Sequence, residues 1–163
     1  MRRVVDTNVA ILANGQCVGI RPACQLAALQ ALRRLLEDGT IVIDIAGAIL
    51  SEYRRYLQPK GQPGVGDRFF REILMNYGGR VDRVELPTNT DGSYMDFPID
   101  ERLRAFDPSD RKFAAAARRG EALVMNAIDT DWLYFRSALA ENGILVDFIC
   151  GCNQSEWFSE RSI

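Results

Sequence analysis

Five acidic residues are the groups in this sequence best able to do chemistry, because each follows a predicted strand or lies on a helix near one. They are Asp6, Glu52, Asp110, Asp129 and Asp131. Asp6 comes directly after the first strand, and Asp129 and Asp131 come after the fourth. A cluster of oxygen ligands without histidine suits Mg²⁺ or Mn²⁺ rather than zinc. Such ions are usually held for chemistry on phosphate, where they lower the pKa of a bound water and offset charge on the leaving oxygen.

Most of these acids also have a simpler explanation when each is taken singly. Glu52 is followed by two arginines on a helix, which is typical of a solvated surface. Asp110 fits an acid at a helix start, where the dipole favours negative charge, and Asp129 fits a helix N-cap. Asp6 is harder to explain in this way, because the end of a buried strand has no structural need for an acid.

The composition excludes several classes of enzyme. The 163 residues are 47% hydrophobic and 26% charged, which fits one globular domain. The chain contains no histidine, and this excludes Ser-His-Asp and Cys-His nucleophiles, histidine-ligated zinc and imidazole acid–base chemistry. The formal net charge of −2 gives no sign of a strongly basic tail for nucleic acid, although net charge does not show how the charges are distributed. Any chemistry therefore falls to carboxylates, cysteines, hydroxyls, lysines or a bound metal.

The start of the chain and its cysteines predict a cytoplasmic protein without a membrane segment. Asp6 lies where the apolar core of a signal peptide would begin, and the apolar run at 41–50 is interrupted by Asp44 and too short to span a bilayer. The four cysteines are then expected to be thiols. A zinc site remains an alternative, although the spacings Cys17-x6-Cys24 and Cys150-x-Cys152 are not standard ones.

Strand and helix signals alternate along the chain. Apolar β-branched runs predict strands at 2–5, 40–45, 80–86, 121–126 and 144–149. Helical spacing and caps predict helices at 21–38, 46–57, 66–76, 107–120 and 131–142. Asp6-Thr7-Asn8 is predicted to be a polar turn.

This alternation predicts an α/β fold in which a parallel sheet is covered by helices on both faces. Such sheets place their sites beyond the carboxyl ends of the strands, where the strand order reverses. We expect one domain over 1–152, with a loop insertion at 87–106, and a C-terminal tail over 153–163. The insertion is too long for a plain connection.

Four short motifs, in this order, resemble the PIN-domain family. They are Val4-Val5-Asp6-Thr7-Asn8-Val9, Ser51-Glu52, Asp110 at the start of an alanine-rich helix, and Asp129-Thr130-Asp131-Trp132. The resemblance covers essentially the whole chain. It implies a three-layer α/β/α sandwich with a five-stranded parallel sheet, and a metal-dependent ribonuclease that uses Mg²⁺ or Mn²⁺.

The resemblance also implies roles for individual residues. The catalytic and metal-binding acids would be Asp6, Glu52, Asp110 and Asp129. Asp131 matches an additional acid and would be a further metal ligand. The supporting polar residues would be Thr7, Asn8 and Asn126. This sequence departs from the family pattern at Ala127, where a Thr or Ser is usual, and at Trp132, where Phe is commoner.

Basic and aromatic side chains near these acids are candidates for contact with RNA. Without the five acids, 17 acidic residues face 20 basic ones, so the remainder of the chain is slightly basic. The basic candidates for phosphate contact are Arg54, Arg55, Arg111 and Lys112, with Arg118 and Arg119 further along. The aromatic candidates for base stacking are Tyr53, Tyr56, Tyr94 and Trp132. Solvated charge and core packing are the simpler explanations for these two sets.

Many small PIN domains are toxins of the VapC type, so the resemblance allows an antitoxin partner and implies a homodimer. The tail, which carries Trp157 and Phe158, fits either a partner surface or packing on its own domain. Two other functions are open. One is a catalytically degenerate PIN-like module that binds RNA or protein. The other is a different metal-dependent phosphate enzyme, although a haloacid-type phosphatase would need an acid where Asn8 stands.

Overall fold

A single parallel sheet of five strands organises the fold. The computed structural model describes residues 1–76 and 78–150, and the predicted tail at 153–163 and Cys152 lie outside them. The strands are β1 (Arg2–Val5), β2 (Thr40–Asp44), β3 (Val81–Val84), β4 (Leu123–Asn126) and β5 (Val146–Phe148). Their order in the sheet is β3-β2-β1-β4-β5, and every neighbouring pair is parallel. All five predicted strands are therefore present, each within the range expected from its apolar run.

Helices connect the strands. They are α1 (Thr7–Ala13), α2 (Pro22–Asp38), α3 (Ala48–Tyr56), α4 (Val65–Met75), α5 (Arg111–Arg119), α6 (Thr130–Tyr134) and α7 (Arg136–Glu141). The connections from β1 to β3 run toward one edge of the sheet, and those from β3 to β5 run toward the other. Because parallel crossovers are right-handed, α1–α4 cover one face and α5–α7 the other. The expected three-layer α/β/α sandwich is confirmed.

The structure differs from the sequence-based prediction at the end of β1. The expected polar turn at Asp6-Thr7-Asn8 is the first turn of α1, and Asp6 is its N-cap. Val9 and Leu12 of this helix are buried, and α1 packs against α2 and α4. The helix has only seven residues, so its apolar positions are too few to give a clear helical period, and tertiary packing stabilises it.

Two further helix boundaries also differ from expectation. The predicted helix at 131–142 is divided at Phe135 into α6 and α7. The helix expected from Asp107 begins as a turn, and α5 itself starts at Arg111 with Asp110 as the residue before it. The Asp107 carboxylate accepts hydrogen bonds from the backbone and the hydroxyl of Ser109 instead (2.8 and 2.9 Å). These hydrogen bonds form a local turn directly before α5.

The segment at 87–106 is irregular, as expected, and it packs against the site end of the sheet. It contains one isolated bridge, between Thr88 and Tyr94, and a short 3₁₀ helix at Glu101–Leu103. The ring of Phe106 is fully buried and meets Trp132 edge to face, with 5.0 Å between the ring centroids. The segment at 87–106 thus contributes to the core next to Trp132 of the Asp129 motif.

A charged network at the surface links the segment at 87–106 to α7 and to Asn142 just beyond it. Asp100 accepts hydrogen bonds from the guanidinium of Arg102 (2.7 Å) and from the amide of Asn142 (2.9 Å). Arg102 also pairs with Glu141 of α7 (2.8 Å). The hydrogen bonds from Arg102 and then Asn142 hold the pKa of the Asp100 carboxyl well below its usual range.

The cysteines do not all behave as expected. Cys24 of α2 and Cys150, just beyond β5, form a disulfide with their Cα atoms 4.9 Å apart, so the prediction of thiols was wrong for these two, while Cys17 is a thiol. The pair joins positions 126 residues apart, which no local spacing could reveal. It also removes both Cys24 and Cys150 from the zinc alternative. Among the helices that the structure describes, none is long and apolar enough to cross a membrane.

Candidate functional site

The candidate site lies where the order of the strands reverses. β1 has β2 on one side and β4 on the other. The connection after β1 therefore runs toward one edge of the sheet and the connection after β4 toward the other, which leaves a cleft beyond the carboxyl ends of these two strands. Asp6 follows β1 directly, and Asp129 follows β4 by three residues. The pairing of β1 with β4 brings these two acids to the same edge of the sheet.

Asp6 is held on both of its carboxylate oxygens. Oδ1 accepts the backbone N–H of Asn8 as the cap of α1 (2.9 Å), and Oδ2 accepts the indole N–H of Trp132 (2.5 Å). Asp6 is only 4% exposed and Trp132 is fully buried. Charge-assisted hydrogen bonds of this kind fix a carboxylate in one orientation. Trp132 is therefore an orienting partner of Asp6, and its burial excludes it as a platform for base stacking.

Asp110 and Asp129 complete an acidic group around Asp6. One carboxylate oxygen from each of these three residues lies within 4.8 Å of the other two. Oxygens around an octahedral Mg²⁺ are about 3 to 4 Å apart, given bonds of about 2.1 Å, so small side-chain adjustments bring the three into coordinating distance. The buried hydroxyl of Thr130, next to Asp129 in the chain, has no hydrogen-bond partner among the described residues. The donor set fits a hard divalent cation.

The electrostatics of this group also favour a cation. Burial raises the pKa of Asp6 to about 7, and the charges of Asp129 and Glu52 add to the effect. Burial likewise raises the pKa of Asp110 to about 9, with further contributions from Asp6, Asp129 and other acids nearby. Without a cation, the cleft keeps protons to limit repulsion between its carboxylates.

A second acidic group shares Asp110. It consists of Asp107, Asp110 and Asp131, again with one oxygen of each within 4.8 Å of the others, and Asp107 is exposed. The sequence identified Asp107 only as a helix-start acid. The signal that links it to the site is its spacing, because Asp107 and Asp110 are three residues apart around a tight turn.

Two asparagines join the ends of β1 and β4. The Asn8 amide donates to Oδ1 of Asn126 (2.8 Å), while Oδ1 of Asn8 accepts the backbone N–H groups of Ala127 and Ile128 (3.0 and 3.2 Å). Asn126 is fully buried and bonds the backbone of Asp129 in both directions (3.0 and 3.2 Å). Asn126 thus shapes the turn that carries Asp129, at the place where Ala127 lacks a hydroxyl.

Glu52 lies beside the acidic group but has different partners. The Thr7 hydroxyl donates to its Oε1 (2.6 Å), and the ammonium of Lys112 forms an ion pair with its Oε2. Among the described residues, neither three-acid group includes Glu52. The structure therefore brings Asp6, Asp110, Asp129 and Asp131 together directly, and it brings Glu52 next to them through Thr7 and Lys112.

The basic and aromatic candidates separate by burial. Arg54 and Arg55 are exposed at the end of α3, whereas Lys112 is only 8% exposed. Arg111 lies over the ring of Phe97 at 5.0 Å, and its guanidinium donates to backbone carbonyls of the segment at 87–106. Tyr53 is fully buried, and its hydroxyl donates to the Val5 carbonyl (2.5 Å). The exposed arginines of α3 are thus accessible to a substrate, and Arg118 and Arg119 at the end of α5 are exposed as well.

The architecture is a PIN-like fold: a five-stranded parallel sheet between helical layers, with acids at the reversal of strand order. The chain is similar to a chain in the crystal structure of VapBC2 from Rickettsia felis bound to a DNA fragment from their promoter. The TM-score is 0.52 and the identity 14%, and the match covers 91% of this chain and 98% of that one. At this identity the similarity establishes the fold alone. No family model matches the sequence, and none of the curated proteins matches it.

Proposed function

We propose that the protein is a metal-dependent endoribonuclease that hydrolyses phosphodiester bonds of single-stranded or structured RNA. The observation that carries the proposal is the convergence of Asp6, Asp110 and Asp129 at the reversal of strand order in a PIN-like fold. A module that only binds RNA or protein gains nothing from buried carboxylates that repel one another. A nuclease needs them to hold Mg²⁺ or Mn²⁺.

The chain's own residues prepare this site. Trp132 and the N-terminus of α1 orient Asp6, and Asn126 shapes the turn of Asp129. Asp131 lies beside Asp110, and we assign it the role of a further ligand. When bound, a divalent ion supplies an activated water and offsets charge at the leaving oxygen. The exposed Arg54 and Arg55 give sequence-independent attraction to backbone phosphates.

We further propose that the protein is the toxin of a toxin–antitoxin pair. The support is its similarity to a chain of a VapBC2 complex, together with the PIN-type order of motifs. The partners proposed on this basis are a small antitoxin and a second copy of the chain. Light scattering of the purified protein, alone and with the product of the neighbouring gene, tests both. A monomer that binds no such product would contradict this part of the proposal.

The test of the activity is cleavage of total RNA by the purified protein in EDTA, Mg²⁺ or Mn²⁺. Asp110→Asn is the diagnostic variant, because Asp110 belongs to both acidic groups and the amide cannot ionise to hold a cation, while it keeps the shape of the side chain. The matched control is Asp38→Asn, at an exposed position at the end of α2. We expect metal-dependent cleavage by the wild type and by the control, and at least about a hundredfold less by Asp110→Asn.

Two other results would contradict the proposal in different ways. Cleavage that survives in both EDTA and Asp110→Asn would indicate a contaminating nuclease or a different site. Ion binding without cleavage of any RNA would favour the alternative function, a degenerate PIN-like module that binds RNA or protein. Retention of labelled RNA on the protein would then distinguish an RNA-binding from a protein-binding module.

A further inference from the structure

Lys112 has a position unlike that of the other lysine in the chain. The sequence contains two lysines, of which Lys60 is exposed on a loop and Lys112 is buried on α5, two residues after Asp110. The Lys112 ammonium contacts a carboxylate oxygen of Glu52 and the carbonyl of Ser109, and it lies 4.6 Å from the centroid of the Phe113 ring. A lysine is rarely buried to this extent unless it is paired, so this cation belongs to the internal arrangement of the cleft.

Glu52 is engaged on both oxygens by this arrangement. Lys112 pairs with Oε2, and the Thr7 hydroxyl donates to Oε1. The side chains of Lys112 and Glu52 are 10% and 18% exposed, so solvent screens their interaction only in part. The pair places one negative and one positive charge beside Asp6, Asp110 and Asp129, and it adds no net charge to the cleft.

We infer that Lys112 is a built-in cation that neutralises Glu52 and limits the cleft to one divalent ion, held by Asp6, Asp110 and Asp129. Glu52 is then a counter-ion of Lys112 rather than a metal ligand, and Lys112 is a positioning residue rather than a contact for substrate phosphate. This inference rests on the proposed function only in assuming that the acidic group binds a divalent ion.

The charges of the pair predict opposite effects for the two single substitutions. Glu52→Gln leaves an ammonium without its counter-ion beside the metal, so it repels the incoming ion. Lys112→Met leaves an extra carboxylate without its cation, so it attracts the ion. Removal of both charges restores the net charge of the cleft. A purely structural effect of Lys112→Met would weaken ion binding, not strengthen it.

The experiment is a double-substitution cycle on the full chain, with Mn²⁺ binding measured by calorimetry and by the loss of the free-ion paramagnetic signal. We expect one Mn²⁺ per wild-type chain. The affinity should fall about tenfold in Glu52→Gln, rise about tenfold in Lys112→Met, and lie within about threefold of wild type in the double variant. Lys60→Met is the matched control for loss of a lysine, and we expect it to match the wild type.

The failure of the inference is distinguishable from the failure of the proposed function. If Mn²⁺ binds with equal affinity to the wild type and Asp110→Asn, the proposed site is wrong. If binding needs Asp110 but the double variant stays about tenfold weaker than wild type, Glu52 is a metal ligand and only the inference is overturned. Two ions per wild-type chain would overturn it as well. If Lys112→Met alone does not fold, Glu52→Gln and the double variant still decide.

Discussion

Asp110→Asn should stabilise the protein in the absence of metal, although it removes an acid of the candidate site. Unfolded, Asp110 ionises with a pKa near 3.8, whereas burial and the neighbouring acids raise its folded pKa to about 9. At pH 7 the unfolded residue is charged and the folded residue keeps a proton. The ionisable side chain therefore lowers the free energy of unfolding relative to a neutral one.

The magnitude follows from the two pKa values. The interval between pH 7 and the unfolded pKa of 3.8 is about three units, and one unit corresponds to about 1.4 kcal/mol, so the cost at pH 7 is about 4 kcal/mol. The amide in the variant is buried with incomplete hydrogen bonding, which costs about 1–3 kcal/mol and offsets part of this gain in the free energy of unfolding. The expected net gain for Asp110→Asn is about 1–3 kcal/mol. For a chain of this size, that corresponds to a rise in Tm of about 2–4 °C for each kcal/mol.

The sign of the pH dependence is also fixed. A carboxyl group whose folded pKa is raised binds more protons in the folded state, so the stability of the metal-free wild type should fall as pH rises from about 4 to about 9. Asp110→Asn should lose much of this slope. The part that remains comes from Asp6, whose pKa burial also raises, to about 7.

The assay is thermal unfolding from pH 5 to pH 9 in EDTA, repeated with Mn²⁺. Asp38→Asn again serves as the control. The Asp38 side chain is exposed, and it lies just before the start of β2, whereas the cleft lies beyond the carboxyl ends of the strands. We expect Mn²⁺ to raise the Tm of the wild type and of the control, and to leave Asp110→Asn nearly unchanged. The reasoning fails if metal-free Asp110→Asn is less stable than wild type at pH 8, or if Mn²⁺ stabilises both proteins equally.

Three other substitutions test contacts that position the site. Trp132→Phe should destabilise the fold by about 2–4 kcal/mol, because it opens a cavity and removes a hydrogen bond to Asp6; urea unfolding measures this, and a loss below about 0.5 kcal/mol would contradict it. Asn8→Ala should cost about 1–3 kcal/mol, since it removes the acceptor of the backbone N–H groups of Ala127 and Ile128 and one donor to Asn126, and RNA cleavage should fall with it; wild-type values for both would show that the contact is dispensable. Asp100→Asn should reduce the loss of stability that the wild type shows below pH 4. A carboxylate with a lowered pKa stabilises the fold above its unfolded pKa, and this stabilisation is lost as pH falls. Acid unfolding followed by circular dichroism measures this, and identical curves for the variant and the wild type would contradict it.

The fold was largely predictable because its signals are local. The β-branched runs at the five strands and the intervening helical periods are each contained within a few turns of chain, and they define a parallel sheet with its ligand site at the carboxyl ends. The acids after β1 and β4 could be placed at the same edge from this rule alone. Whether these acids lie next to each other depends on the pairing of β1 with β4, which the sequence did not determine.

Several features that could not be predicted, in the site and elsewhere, depend on distant pairs. The hydrogen bond from Trp132 to Asp6 spans 126 residues, and the disulfide between Cys24 and Cys150 spans the same separation. The pairing of Lys112 with Glu52 also connects two helices that are far apart in the chain. Each of these residues had a plausible local explanation, and periodicity carries no information on which distant group a side chain will meet.

The order of strands in the sheet also determines when the site can form during synthesis. β1 leaves the ribosome first, yet its partner β4 and the indole that orients Asp6 emerge more than a hundred residues later. At about 5–20 residues per second, the 126 residues between Asp6 and Trp132 take roughly 6–25 s to make. The acidic cluster is therefore incomplete in the nascent chain until the segment after β4 has been made. In the proposed ribonuclease, this order of synthesis would leave the site unable to cut nearby RNA until Asp129 and Trp132 have emerged.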